Sequence, residues 1–266
     1  MSDDDARAEL LACAARNGDI AEGALWLATE DCHGVDRPRW LEVVDALAEE
    51  LRTRSGRQPP VLAAPVIAGL LRDRLGLHGA AAADPRTHYL HTVLERGGGI
   101  PIACSAVWIA VGRRAGIEVE GVGLPGHFVV RVAGALVDAF GGGALLDDSE
   151  ATRLVAAAFG SEPPRLEPEW LEAASTREML ARMSRNLRSC HAALSNWTLA
   201  LRAADRCVAL LPDSPPERRD RGLLAWRCGR AALALDDLSW YLDVVPDAPD
   251  HEAISEARSR LRAFLN

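Results

Sequence analysis

Lysine is absent from this chain of 266 residues, so arginine carries all of its basic charge, a compositional bias more than a site. There is no basic block either. Acidic residues outnumber basic ones and the net charge is −8, which argues against the cationic face that a phosphate backbone requires. No run approaches the ~18 apolar residues of a membrane span. The N-terminal Met-Ser-Asp-Asp-Asp lacks the basic start of a secretion signal. Aromatic residues make up only 5%, so Leu, Val and Ala must fill a core drawn from 48% hydrophobic residues, which a helical protein does readily. Cysteine is present at positions 13, 32, 104, 190, 207 and 228, but no pair has Cys-x-x-Cys spacing. A zinc site therefore has little support, and the cysteines read as reduced thiols of a cytoplasmic protein. Gly97–Gly99 lacks the Gly-Lys-Ser/Thr of a phosphate loop, and His88 and His91 are not spaced i, i+4. No metal or cofactor is implied.

What is present is mostly helical periodicity. Residues 6–30 read as a helix that Gly18 and Gly23 can divide in two. Residues 36–52 form a clearer one, with Asp36 to cap it, Pro38 near its first turn, and Leu41, Val44, Leu47 and Leu51 on one face. Arg52 to Pro60 is a polar loop, residues 61–76 another helix, and Asp84-Pro85 opens a further one carrying Tyr89, Leu90, Val93 and Leu94. Gly97–Gly99 breaks it, and Pro101 suits the first turn of an apolar helix that ends near Gly116. From Glu118 the period changes to two. Three short strands, around Val119–Gly123, Phe128–Val132 and Ala135–Asp138, predict a small antiparallel sheet behind that helix. Another helix starts near Asp148.

Pro163, Pro164 and Pro168 mark residues 161–170 as a linker, after which everything reads as helix. Pro212-Asp-Ser-Pro recurs as Pro246-Asp-Ala-Pro, a period of 34, and Ala200, Cys207 and Leu211 match Ala234, Tyr241 and Val245. Thirty-four is the tetratricopeptide period, a helix–turn–helix unit that must stack to bury its apolar face. Two such units are few for a free-standing array, so residues 251–265 are expected to cap them. The predicted domains are 1–160 and 170–266. The seven tryptophans read as core or groove anchors.

The stretch from 95 to 141 holds Cys104, His127 and Asp138, in that order. Cys104 lies in the first turn of its helix, where unpaired N–H groups favour a thiolate. His127 follows a Pro-Gly bend at the start of a strand, and Asp138 ends the next strand. Neighbouring antiparallel strands can hold an imidazole and a carboxylate within hydrogen-bond reach. A thiol attacks a carbonyl, the imidazole moves the proton, the carboxylate orients the imidazole, and helix N–H groups bind the oxyanion. Each residue also has a plain structural use. Cys104 in an Ala-rich helix can be a small core residue, and Asp138 can cap the turn before Phe140-Gly141.

The motifs Tyr89-Leu-His-Thr-Val-Leu-Glu-Arg, Gly99-Ile-Pro-Ile, Gly121-Val-Gly-Leu-Pro-Gly-His-Phe and Leu136-Val-Asp-Ala-Phe-Gly-Gly resemble the SirB-type transglutaminase-like proteins. The segments Met179–Leu187, Arg219–Leu224, Asp236–Leu242 and Pro246–Asp250 are similar to that family's tetratricopeptide tail. The resemblance spans roughly residues 36–266. It implies an α+β fold: a mainly helical transglutaminase-like (cysteine-protease-like) domain with a small antiparallel sheet, then an all-α tetratricopeptide-like domain. It also implies a Cys, His, Asp triad in this chain order, with His127 and Asp138 at the His and Asp positions. The superfamily's Gly-x-Cys aligns by spacing with Gly99-Ile-Pro101, which puts proline at the Cys position and Cys104 three residues later. The chain departs from the family at Thr87-His88 and at Gly97-Gly98. Two functions are open. One is an acyl transferase or an amide or thioester hydrolase, with Cys104, His127 and Asp138 acting on a protein-, peptide- or carrier-bound substrate docked on the repeats. The other is a non-catalytic interaction protein. They differ in whether Cys104 is reactive and faces His127. Membrane and nucleic-acid partners are not expected, and nothing in the sequence speaks to the oligomeric state.

Overall fold

The computed structural model describes residues 3–56, 59–159 and 166–265. The chain divides into two compact units, residues up to Met183 and residues from Ser184.

The first unit opens with α1 (Asp3–Ala15) and α2 (Ile20–Asp31). The break between them falls at Asn17 and Gly18, with Asn17 at φ +50° and the Asp19 carboxylate capping α2 by accepting the Glu22 N–H at 3.0 Å. Gly23 stays helical, and its lack of a side chain serves packing. A Cβ there would lie 2.9 Å from a Leu180 methyl. The Glu30 carboxylate, 2% exposed, is paired with Arg7. Next come α3 (Arg37–Ser55), capped by Asp36, and α4 (Ala63–Leu75). Helix α3 runs three residues past its expected end. Arg54 pairs with Glu50 one turn back and with Asp73 of α4, so the last turn is held until Gly56 leaves at φ +51°.

The helix expected from Asp84-Pro85 onward is instead two pieces: a short 3-10 turn over Pro85–Thr87 and α5 (Leu90–Arg96). Tyr89 between them is extended, at φ −90° and ψ 126°. Two contacts hold the break open. The Thr87 carbonyl accepts the Ile100 N–H at 3.0 Å, and the His88 Nε2 lies 2.8 Å from the Ala82 carbonyl. Long-range hydrogen bonds outweigh the local preference for continuing a helix.

Two residues on each side, β1 (His78–Gly79) and β2 (Gly98–Gly99), pair in parallel and lead into α6 (Pro101–Arg114). Then come β3 (Val119–Val122), β4 (Val129–Val132), β5 (Ala135–Asp138), β6 (Ala144–Leu146), α7 (Asp148–Phe159) and β7 (Ala173–Ala174). The sheet is antiparallel in the order β6-β5-β4-β3-β7, with Val119 opposite Val132 and Val130 opposite Val137. The sequence pattern predicts the three central strands and not the two short edges, whose few residues carry no period. Helix α6 lies against β3 and β4. Gly112 permits the approach, since a Cβ there would fall 2.4 Å from a Val119 methyl. On the other face, Val155 of α7 packs with Val122, Leu124 and Val129. The proline-rich stretch 161–170 lies partly outside the described residues, and its described end, Pro168–Leu171, is a 3-10 turn.

Helix α8 (Thr176–Ala193) crosses the division at Met183. The second unit continues with α9 (Trp197–Leu210), α10 (Pro215–Arg227), α11 (Ala231–Val244) and α12 (His251–Leu265). Helices α9 and α11 both start and end 34 residues apart, and Ala200, Ala234, Cys207 and Tyr241 are all buried. Ala225, Leu238, Ile254 and Leu261 form its apolar core. Gly222 lets α10 and α11 approach, because a Cβ there would meet Leu238 at 2.8 Å. Buried charges are paired across helices: Glu217 with Arg185 and Arg188, and Asp237 with Arg221 at 2.6 Å. Burial pulls the Glu217 pKa up, but the two guanidinium groups outweigh it and hold it below the usual carboxylate range.

The hairpin between β4 and β5 turns through Ala133 and Gly134, at φ +47° and +90°. Two positive φ values suit the right-handed twist of the strands, but the first falls on a residue with a Cβ. Replacing Ala133→Asn is expected to raise stability by about 1 kcal/mol, since Ala carries the left-handed penalty that Asn partly escapes. Urea unfolding of the two proteins checks this; an unchanged or lower midpoint would contradict a strained turn.

Candidate functional site

Pro101 stands at the first position of α6, where its missing N–H costs nothing, and Ile100 precedes it without a side-chain cap. The strand pair fixes this end of the helix. His78 N–H donates to the Gly97 carbonyl and Ala80 N–H to the Gly99 carbonyl, each at 2.9 Å. Cys104 follows one turn into the helix and is fully buried. Its thiol faces the Gly99 carbonyl at 3.3 Å and the His78 carbonyl at 3.6 Å. Gly99 leaves room for this packing, because a Cβ would sit 3.0 Å from the Cys104 sulfur and 3.1 Å from a Val93 methyl. Burial, with the Asp138 charge adding to it, pushes the Cys104 thiol up to about 12.

His127 and Asp138 do meet. Since Val130 pairs with Val137, the residue across from Asp138 is Val129, two positions after His127, which is diagonal reach for neighbouring strands. The His127 Nε2 lies 3.0 Å from the Asp138 Oδ1, and both side chains are mostly buried. The His127 ring also meets Phe140 edge-on, 5.7 Å between centroids. The Asp138 carboxylate accepts the Phe140 N–H at 3.0 Å, and its backbone carbonyl accepts the Gly143 N–H at 2.8 Å. Burial raises the Asp138 pKa, but the hydrogen bonds from His127 and from the Gly141 and Phe140 N–H groups prevail and hold it below the usual range. Asp138 is thus both the partner of His127 and the staple of the turn after β5.

The loop presenting His127 is clamped by a residue that sequence reading did not single out. Arg182 of α8 donates from Nη2 to the Leu124 carbonyl at 2.8 Å and the His127 carbonyl at 2.7 Å, while its guanidinium lies 5.3 Å from the Phe128 ring centre. Gly126 between them has φ +72°, and a Cβ there would collide with Ala158. Arg182 falls inside a family-like motif, but one arginine in a helix rich in them carries no mark of its role.

Of the three candidate residues, the structure therefore joins His127 to Asp138. Cys104 makes its hydrogen bonds to two backbone carbonyls and none to the imidazole among the described residues. Nor do three or more His, Cys, Asp or Glu side chains converge as metal ligands among the described residues. No helix there is long and apolar enough to cross a membrane.

A mostly helical domain with a small antiparallel sheet, and a His–Asp pair formed between the end of β5 and the loop entering β4, has the architecture of the transglutaminase-like class. Residues 38–185 match the transglutaminase-like superfamily, and residues 187–259 match the tetratricopeptide repeat. The chain belongs to the transglutaminase-like superfamily, in its SirB-type family with C-terminal tetratricopeptide repeats. A UPF0162 protein of Xylella fastidiosa (strain Temecula1) is 42% identical over 169 residues, 61% of this chain and 60% of that protein. UPF0162 protein PA3419 of Pseudomonas aeruginosa is 32% identical over 200 residues, 73% and 72% of the two chains. Protein SirB1 of Salmonella typhimurium is 25% identical over 171 residues, 62% and 63%. The match thus spans about three fifths of the Xylella relative's length. No solved structure matches the chain.

Because the fold depresses the Asp138 pKa, its contribution to stability is complete above the ordinary carboxylate value of 3.8 and is lost as pH falls through the lower folded value. The variant Asp138→Asn is expected to lose about 1–3 kcal/mol at pH 7. The loss should shrink in the same acid window. Denaturant melts of both proteins from pH 7 to pH 2 test this. A constant difference across that range would mean that the carboxylate's charge plays no part.

Proposed function

We propose that this chain acts as a protein-interaction module on a transglutaminase-like fold, without cysteine-dependent acyl transfer. One observation carries the reading: Cys104 is fully buried, with its thiol turned to the Gly99 and His78 carbonyls. A nucleophile must reach a carbonyl carbon and be ionised to attack it. Cys104 meets neither requirement, and its pKa is pushed in the wrong direction for a catalytic thiol. Proline, which has no nucleophilic atom, occupies position 101, where the family resemblance places the cysteine. On this reading the His127–Asp138 pair ties β4 to β5 and is kept for the fold. The helical repeats of residues 170–266 supply the binding surface for a protein or peptide, since stacked helix pairs of this kind form extended recognition surfaces. On this reading the protein works in the cytoplasm.

The second reading, a Cys104, His127, Asp138 acyl transferase or hydrolase, is favoured by the 3.0 Å His127–Asp138 contact. That bond uses Nε2 and leaves Nδ1 to face a nucleophile. This reading requires Cys104 to leave its carbonyl partners.

Alkylation with iodoacetamide across pH 5–9, mapped by peptide mass spectrometry, separates the two. Cys104 is expected to label more slowly than the partly exposed Cys32 and Cys228, only as the protein opens, and no more slowly in His127→Ala than in the parent. Rapid labelling of Cys104 below pH 7 that disappears in His127→Ala would establish a thiolate–imidazolium pair and restore the enzyme. In the same series, Cys104→Ser is expected to keep the fold with a modest loss, about 1–2 kcal/mol, because a hydroxyl can use the same carbonyls but is dearer to bury.

A further inference from the structure

A cavity of about 330 Å³ lies in the first unit, bordered by the C-terminal ends of α3 and α6 and by the β4–β5 hairpin turn. It shares no residue with the His127–Asp138 pair. Its size falls at the lower end of small-molecule pockets. Its lining sorts by chemistry. Val66 and Ile117 give an aliphatic wall. Arg52 brings a cation whose guanidinium is held by Glu49 and by the Arg114 carbonyl at 2.8 Å. Glu118 brings an exposed carboxylate. The carbonyl ends of the two helices add partial negative charge on the same side.

Two independent features mark this cavity as more than a packing gap. Ser55 is one of its lining residues, and its Oγ is buried without a hydrogen-bond partner among the described residues. A buried hydroxyl without a partner is destabilising by itself and calls for one. The rim also contains Ala133, the non-glycine residue in the left-handed region, and backbone strain of this kind concentrates where a fold serves a ligand.

We propose that the cavity binds a small zwitterion with an aliphatic side chain, an α-amino acid of the leucine, isoleucine or valine type. Its ammonium meets Glu118, the Ser55 hydroxyl and the helix carbonyl ends. Its carboxylate meets Arg52, and its side chain lies on Val66 and Ile117. The assignment goes beyond the interaction-module reading and stands whether or not Cys104 reacts.

The test is amide chemical-shift titration of the full chain with L-leucine, L-isoleucine and L-valine. Two leucine-shaped controls each lack one charge: 3-methylbutylamine has no carboxylate and 4-methylpentanoate has no ammonium. Saturable shifts at Gly116, Ile117 and Glu118 are expected for at least one of the amino acids, with each control bound at least about ten-fold more weakly than L-leucine or not at all. Glu118→Gln, an exposed position that does not risk the fold, is expected to weaken amino-acid binding about ten-fold and leave 4-methylpentanoate unchanged. Ser55→Ala is expected to weaken binding while leaving the melting temperature equal or higher, since it removes an unpaired buried hydroxyl. No saturable shift with any of the three amino acids overturns the proposal. So does equal binding of both controls and L-leucine, which would make the cavity merely apolar. So do variants that bind as the parent does.

Discussion

Helix α6 is apolar around its whole circumference, and every residue from Ile102 to Gly112 is buried. A helix with no wet face must be wrapped, and the rest of the first unit does the wrapping. Helices α2, α3, α4 and α5 pack on one side, β3 and β4 on the other, and the β1–β2 bridge lies against it. The burial of Cys104, Ser105 and Trp108 follows directly. Hydrophobic burial at this density leaves little room for a charged intermediate near its centre.

That constraint governs the chemistry of the site. A thiol in the first turn of a helix is activated when the helix end is open to substrate, because N–H groups and a nearby imidazole then stabilise the anion. Here the same turn is sealed by the parallel pairing of Gly98–Gly99 with His78–Gly79, and the thiol hydrogen has carbonyls to donate to. Desolvation then dominates the helix dipole, and the thiol is kept neutral. Asp138 is also in a desolvated place but has three donors, so it is kept charged. Two buried titratable groups thus end in opposite states because one has donors aimed at its anion and the other has acceptors aimed at its proton.

The second unit depends on a different balance. Its helices are short and carry many charges, and its interior is joined by ion pairs as well as by apolar contacts. The buried Arg206 donates to the Ser184 hydroxyl, and the nearly buried Glu217 and Asp237 each pair with arginine from a neighbouring helix. Such pairs add less stability than their Coulomb attraction suggests, but removing one member leaves a stranded charge. They fix which helix face meets which, a role that suits a stack built from similar units.

Much of this was readable in the residues. The buried helix, the strand that follows His127 and the one that ends in Asp138, the 34-residue period and the capping of α3 by Asp36 rest on local periodicity and on side chains bonding their own backbone. Those interactions act within a few residues, so sequence order determines them. The division of residues 84–96, the sealing of Cys104, the Arg182 clamp on the His127 turn and the cavity beside Ser55 join positions far apart in the chain. Whether a thiol is a nucleophile or a core residue depends on how much water reaches it and on which dipoles surround it. Those quantities exist only once distant segments have packed, so the sequence supplied a thiol, an imidazole and a carboxylate, and the tertiary structure decided the environment of each.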